Sequence, residues 1–170
     1  VKICCIQDES EAALAVAVGA VAVGLVGRMP SGPGPISDEE IYRIAKSVPP
    51  PVATFLLTSE QTASGIIAHH RRTLTSTIQI VDELENRDYK TLRDALPHTK
   101  LVQVIHVIGE QSVDEACEVA DRTGFHSISI GEHHGIGYTF SAPPVLLAAI
   151  GARTKRLRLT PGVALAANLD

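Results

Sequence analysis

Cys4 is the side chain of this sequence best suited to acid–base chemistry. It lies in the opening run Val1-Lys2-Ile3-Cys4-Cys5-Ile6, near the carboxyl end of the first predicted strand, and parallel α/β sheets place their active residues at that end of their strands. A free thiol has a pKa of about 8.5, which a neighbouring cation lowers toward neutrality, so a cysteine can serve as a general base. Lys2 shares the strand face of Cys4 and could supply the charge, whereas Cys5 should point to the opposite face. The alternative is that Cys4 is a small buried apolar residue, and we interpret Cys5 and Cys117 in this way.

His133 is the second candidate, within Gly131-Glu132-His133-His134-Gly135 at the end of a later predicted strand. A histidine can accept or donate a proton near neutral pH, and the alternative is a solvated loop histidine. Glu132 and His133 could also join His106 as metal ligands, but this spacing is weak evidence and we predict no metal site. We interpret the run His69-His70-Arg71-Arg72 as a solvated helix end whose positive charge suits the helix dipole.

These residues must be positioned by a chain that alternates between buried strands and helices. Continuous β-branched runs predict the strands, and helical spacing of apolar residues predicts the helices between them. Such alternation indicates a parallel sheet with helical crossovers. Seven strands are fewer than a closed eight-stranded barrel requires, so the predicted fold class is α/β, an incomplete (βα) barrel of about seven parallel strands with open sheet edges. Strands are predicted at residues 2–6, 21–26, 52–58, 77–81, 101–107, 127–130 and 157–160, and helices at 11–18, 38–48, 62–72, 89–96, 113–123 and 144–153.

Local signals mark several ends of these elements. Ser37 before Asp38-Glu39-Glu40 predicts a helix start with a capping box, and Gly124 is placed to end the helix before it. The loop at residues 27–35 is rich in glycine and proline. It is either a lid over the active face or a tight connection that needs glycines to turn.

Size and composition limit the partners. The 170 residues are 45% hydrophobic and 20% charged, which we interpret as one globular domain over residues 1–170. A net charge of −4 offers no broad positive field, so we predict no nucleic-acid partner. Three cysteines without a disulfide-like spacing favour a reducing compartment and predict a cytoplasmic protein. The longest apolar run, residues 12–26, is shorter than the roughly 20 residues of a membrane helix, so no membrane partner is predicted.

The first part of the chain, up to about residue 115, resembles phosphoribosylanthranilate isomerase, a βα-barrel enzyme of tryptophan biosynthesis. The resemblance implies an Amadori rearrangement of a small phosphorylated substrate without a cofactor. It makes Cys4 the general base and an aspartate after a later strand the general acid. The residues that carry it are Lys2-Ile3-Cys4, Gly19-Ala20-Val21-Ala22-Val23-Gly24-Leu25-Val26, Ile36-Ser37 and Thr77-Ile78-Gln79-Ile80.

The sequence departs from that family at its acid and phosphate sites. Gly34-Pro35 stands where the family has a basic residue, so Arg28 would have to substitute, and Val81-Asp82 stands where strand four usually closes on His-Gly. The sequence contains no Leu-Asp-Ser-like acid and no late Gly-Gly loop, whose backbone amides would anchor a phosphate. The resemblance therefore leaves both an active and an inactive isomerase open.

From about Ser112 onward the chain resembles the amino-terminal part of luciferase-like, flavin-dependent monooxygenases. The matching runs are residues 120–134, 144–149 and 152–159. This second resemblance implies FMN as the cofactor and places His133 near the flavin, where it would exchange a proton with a flavin–oxygen adduct. That family's phosphate-binding segment and most of its flavin-binding segments come later in its barrel.

The resemblance changes near residues 112–120, within one predicted helix. The prediction is therefore an isomerase-like protein joined to a luciferase-like segment. One alternative is a fragment of a flavin-dependent monooxygenase. Another is a non-catalytic barrel fragment that forms a homo-oligomer by pairing its open sheet edges.

Overall fold

A computed structural model describes residues 1–30, 32–106, 109, 111–130 and 143–161 of the chain. The chain divides into two compact units, Val1–Val104 and Ile105–Asp170. Strands and helices alternate through both units, so the predicted α/β class is confirmed. The single domain over residues 1–170 stays a prediction.

The first unit contains a parallel sheet of five strands among the described residues, in the order β1-β2-β3-β4-β5. Each strand therefore pairs with the strand before it in the chain. The register places Lys2 opposite Ala22, Gly24 opposite Phe55 and Leu57 opposite Gln79. The strands are β1 (Lys2–Ile3), β2 (Ala22–Val26), β3 (Ala53–Thr58), β4 (Thr77–Ile80) and β5 (Lys100–Gln103), and the helices are α1 (Glu9–Ala17), α2 (Asp38–Ser47), α3 (Ala63–Thr73) and α4 (Asn86–Ala95).

The core of the first unit lies between the sheet and its helices. β3 alternates strictly: Thr54, Leu56 and Thr58 are buried, whereas Phe55 and Leu57 between them are only half-buried. This two-residue period places the first set beneath the helices and the second set on the opposite face, with the candidate site. The buried apolar cluster beneath the helices consists of Ile6, Ala12, Ala15, Ala20, Val23, Leu25, Ile41, Ile44 and Leu56.

The start of α2 follows the predicted capping box. The Ser37 hydroxyl accepts a hydrogen bond from the Glu40 backbone N–H at 3.2 Å, and the Glu40 carboxylate accepts one from the Ser37 N–H at 2.9 Å. Two backbone donors that a helix start would leave unpaired are thereby satisfied. The capping box fixes Asp38 as the first residue of α2.

The second unit contains α5 (Gln111–Thr123), β6 (Ser127–Ile130), α6 (Pro143–Arg153) and β7 (Arg158–Pro161). β6 and β7 pair in parallel, with Ser127 opposite Arg158. Gly124, directly after α5, has φ +73°, the left-handed conformation expected of a glycine that ends a helix. Cys117 lies in an apolar cluster, as predicted, together with Leu146, Ile150, Val113, Ile128, Ile130 and Leu159.

Each predicted strand and helix has an observed counterpart within a few residues, and the first and fifth strands differ most. The strand predicted at residues 101–107 is observed at Lys100–Gln103. The predicted strand at residues 2–6 is observed only at Lys2–Ile3. Cys5 has φ +61°, a left-handed backbone that ends the extended geometry, so the alternation that would send Cys4 and Cys5 to opposite faces does not hold here. Within the described part of the chain, no helix has both the length and the apolar character needed to cross a bilayer.

Candidate active site

Gly24 makes room for the Cys4 thiol at the carboxyl end of β1. A Cβ atom built on Gly24 would lie 2.5 Å from Cys4 Sγ and 3.1 Å from Lys2 Cε. A glycine in a strand often marks such a close approach. Cys4 is exposed, so its thiol is accessible on the face of the sheet that the helices do not cover.

Lys2 joins three strands on that same face. Its ammonium donates a hydrogen bond to Gln79 Oε1 on β4 at 2.5 Å and lies 4.5 Å from the centre of the Phe55 ring on β3. Burial lowers the pKa of Lys2, while the charges of Cys4 and Cys5 act in the opposite direction. The predicted pairing of Lys2 with Cys4 on one face is thus present, and Gln79 and Phe55 complete the group.

Cys5 connects β1 to the loop that follows β2. Its Sγ lies 3.8 Å from the Pro33 carbonyl oxygen, and a Cβ atom on Gly34 would lie only 2.8 Å from Cys5 Cβ. The Gln7 side-chain amide donates to the carbonyls of Cys5 and Gly34 at 3.2 and 3.1 Å. Burial, followed by the interaction with Cys4, raises the pKa of Cys5. Cys5 is therefore a packing residue, as predicted, but one that packs against the loop.

The β2–α2 loop, residues 27–37, is held at both ends. The Ile36 N–H donates to the Val26 carbonyl at 2.9 Å, and the Ser59 hydroxyl donates to the Arg28 carbonyl at 3.1 Å. Arg28, the only basic residue of the loop, is exposed. It is therefore accessible as the substitute cation that the sequence predicts. The loop contacts Cys5 and Gln7 of the candidate site, and the choice between a lid and a tight connection stays a prediction.

His69 forms a buried hydrogen-bonded network that the sequence analysis missed. Its Nε2 lies 3.0 Å from Asp38 Oδ1 at the start of α2, and its Nδ1 lies 2.9 Å from Thr58 Oγ1 at the end of β3. Arg72 also contacts the Asp38 carboxylate. Burial lowers the pKa of His69, and the attraction of Asp38 offsets only part of this effect. The ring is then neutral at pH 7: its Nδ1 shares one hydrogen bond with the Thr58 hydroxyl, and its Nε2 is in close contact with the Asp38 carboxylate without a well-aligned hydrogen bond.

The prediction that the His69–Arg72 run is a solvated helix end is wrong for both histidines. His69 and His70 are 4% and 8% exposed, whereas Arg71 and Arg72 are exposed. The reason is helical periodicity: Ile66, His69, His70 and Thr73 occupy the buried face of α3 at three- and four-residue intervals. That spacing was the signal in the sequence that could have revealed the burial.

The second predicted catalytic residue, His133, lies outside the described residues, as do Glu132 and His134. His106 is described, and its carbonyl accepts a hydrogen bond from the Ser112 hydroxyl at 3.4 Å. Among the residues that the structure describes, no three His, Cys, Asp or Glu side chains are grouped closely enough to hold a metal ion. The roles of Cys4 and His133 stay predictions.

Comparison with known proteins divides the chain at the same place as its two compact units. Residues 105–170 match the family model of the luciferase-like monooxygenases. Over 53 residues the chain is 42% identical to the oxygenase component of the flavin-dependent trigonelline monooxygenase of Acinetobacter baylyi, covering 31% of this chain and 15% of that protein. The second of the two resemblances is thus supported.

The isomerase resemblance is supported by a longer match. Over 110 residues the chain is 28% identical to N-(5'-phosphoribosyl)anthranilate isomerase 2 of Methanosarcina mazei, covering 64% of this chain and 49% of the relative. The solved phosphoribosylanthranilate isomerase of Thermotoga maritima superposes with a TM-score of 0.71 at 21% identity, covering 95% of this chain and 76% of that structure. At this identity the likeness shows the fold, which is that of the isomerase barrel. The chain spans half or less of the length of these curated relatives.

Proposed function

We propose that the first unit carries the part of a phosphoribosylanthranilate isomerase active site that holds the general base, and that this base is Cys4. The observation that carries this proposal is the position of the Cys4 thiol: it is exposed at the carboxyl end of β1, opposite Gly24 and on the face of Lys2. An aldose–ketose rearrangement moves a proton between adjacent carbons of the sugar, so it needs a base with access to substrate. The exposed thiol meets that requirement.

The surrounding residues have distinct roles in this proposal. Lys2 places a positive charge on the same face as Cys4. Gln79 and the Phe55 ring hold the Lys2 ammonium in position. Arg28, exposed on the β2–α2 loop, is the cation available to a phosphorylated or carboxylated substrate. Together they supply a base, its supporting charge and an anion-binding group.

Turnover of phosphoribosylanthranilate by the purified chain tests the proposal. General-base catalysis contributes about 10²–10⁴-fold, so Cys4→Ala should lower kcat/KM by that factor. Cys117→Ala is the matched control, since Cys117 is a buried cysteine of the second unit, and it should retain turnover when folded. Absence of turnover in the unmodified chain, or full turnover in Cys4→Ala, would refute the proposal.

We infer a second candidate function, flavin binding, from the family match over residues 105–170. FMN, when bound, supplies the redox chemistry of the luciferase-like monooxygenases. The described core of this unit, Cys117, Leu146 and Ile150 with their apolar neighbours, contains no charged side chain that could bind the flavin phosphate. Protein purified after expression with added riboflavin should be yellow and release flavin on denaturation if this candidate is right. A colourless protein that also fails to bind added FMN would exclude it.

We also propose that β1 is an association edge. β1 pairs with β2 alone among the described strands, and an unpaired strand edge is a template for another chain. Val1 and Val21, at the amino ends of these two strands, are 84% and 64% exposed. Sedimentation over a range of concentrations should show a homo-oligomer that Lys2→Pro weakens, because proline on an edge strand blocks pairing. A monomer at all concentrations would refute this role.

A further inference from the structure

His69 contacts the two ends of the β2–α2 loop at the same time. At the first end, a Cβ atom on Gly27 would lie 2.5 Å from His69 Cε1, so the ring packs directly against the backbone there. At the second end, His69 Nε2 lies 3.0 Å from the carboxylate of Asp38, which begins α2. A third contact holds the ring: the Thr58 hydroxyl at the end of β3 lies 2.9 Å from its Nδ1 and hydrogen-bonds with it. One buried side chain thus contacts both the point where the loop leaves the sheet and the first residue of the helix that follows it.

The middle of that loop contacts the candidate active site. Pro33 and Gly34 lie against Cys5, and Gln7 hydrogen-bonds to Gly34. Cys5 is adjacent to the proposed base. A displacement of the loop ends would therefore change the packing around the strand end that holds the thiol.

We propose that His69 is a positioning residue, which fixes both ends of the β2–α2 loop and so keeps its middle against the Cys4–Cys5 strand end. His69 contacts no substrate in this proposal, because its side chain is buried, with only 4% of the residue surface exposed. Its relevance to turnover rests on the isomerase proposal, but its effect on the loop does not.

His70 provides the matched control. It is a buried histidine on the same helix, and its Nε2 bonds the Thr75 carbonyl at 2.8 Å, just after the end of α3. Loss of either ring removes a buried side chain of the same size and one hydrogen bond. Only loss of His69 removes a contact with the loop.

The rate at which Cys5 is alkylated measures how closely the β2–α2 loop covers the Cys5 side chain. In a Cys4→Ser chain, the label that iodoacetamide places on the amino-terminal peptide reports Cys5 alone, which is half-buried by the loop. We would compare His69→Ala, His69→Gln and His70→Ala, each at the same interval below its unfolding midpoint. Mass spectrometry of the peptide gives the rate.

We expect His69→Ala to raise the labelling rate of Cys5 about tenfold, the effect of losing the buried hydrogen bond to Thr58 together with the contact to the Asp38 carboxylate. His69→Gln should lie between, because its amide can donate to Asp38. His70→Ala should label at the parent rate. Equal acceleration in His69→Ala and His70→Ala, or no change in His69→Ala, would overturn the proposal. If His69→Ala does not fold, Asp38→Asn replaces it and should also accelerate labelling.

The outcome is separable from that of the isomerase proposal. A chain without turnover refutes the isomerase function and leaves the labelling comparison valid. Unchanged labelling refutes the role of His69 and leaves a Cys4-dependent turnover standing.

Discussion

Gly24→Ala is the sharpest test of where the structure places the Cys4 thiol. A Cβ atom at residue 24 would lie 2.5 Å from Cys4 Sγ, about 1 Å or more inside the roughly 3.5–4.0 Å at which non-bonded atoms attract most strongly. Cys4 Cα at 3.2 Å and Lys2 Cε at 3.1 Å are close contacts as well. The thiol must therefore rotate away from the position in which it would act as a base.

The expected cost follows from the atoms involved. Overpacking typically costs about 1–3 kcal/mol, and we expect the low end, about 1 kcal/mol, because a single sulfur atom can turn to another staggered position. In a Cys4→Ala background Sγ is gone and only the contacts with Lys2 Cε and Cys4 Cα remain, so the same Gly24→Ala change should cost less than in the parent. The two costs then differ by a coupling energy of about 1 kcal/mol between residues in contact.

Urea unfolding of the parent, both single variants and the double variant gives the four free energies of unfolding. Circular dichroism is the suitable signal, since the chain has no tryptophan. Turnover should fall in Gly24→Ala to the level of Cys4→Ala, although the thiol is still present. A coupling energy near zero, together with retained turnover in Gly24→Ala, would refute the placement of the thiol against Gly24.

Three further predictions concern the residues around this site. Burial lowers the pKa of His69 below its ordinary value of 6.5, so the imidazole binds a proton more tightly in the unfolded chain than in the folded one. The stability that the neutral ring contributes is therefore fully present above about pH 6.5. It is lost as the pH falls through the lower pKa of the folded state. The difference in unfolding free energy between the parent and His69→Gln should shrink over that acidic range, and a constant difference would contradict the assigned neutral ring. Lys2→Met should lower turnover of phosphoribosylanthranilate several-fold by removing the charge on the face of Cys4, whereas Gln79→Met, which keeps the charge, should lower it less; equal turnover in all three proteins would count against a role for the Lys2 charge. Ser37→Ala should lower the free energy of unfolding by about 0.5–2 kcal/mol, with Ser10→Ala, at an exposed position of α1, as the comparison, and a loss no larger than that of Ser10→Ala would mean that the capping box contributes little.

Features set by local sequence were predictable. The alternation of strands and helices follows from apolar periodicity, and the capping box follows from four adjacent residues, so the elements are found within a few residues of their predicted places. The shared face of Lys2 and Cys4 also follows from the two-residue period of a strand. It needs no knowledge of the rest of the chain.

Features that depend on distant segments were not predictable in the same way. The partners of the buried His69 ring are a carboxylate from α2 and a hydroxyl from β3, which are 31 and 11 residues away in sequence. The left-handed backbone at Cys5 has no signature in its residue type, because cysteine does not favour that region. The left-handed conformation of Cys5 is found together with the packing of the loop residue Gly34 against it, a contact that the sequence around Cys5 does not specify.

The strand order of the first unit has a consequence for how the chain can assemble. Because each strand pairs with the one immediately before it in the sequence, every new strand meets a partner that has already been synthesised. The sheet can therefore grow in one direction during translation, one βα step at a time, without waiting for a distant segment. The segment with Cys4 is made before its neighbours Gly24, Phe55 and Gln79, which follow in the order in which the sheet needs them, so the candidate site is built from its proposed base outward.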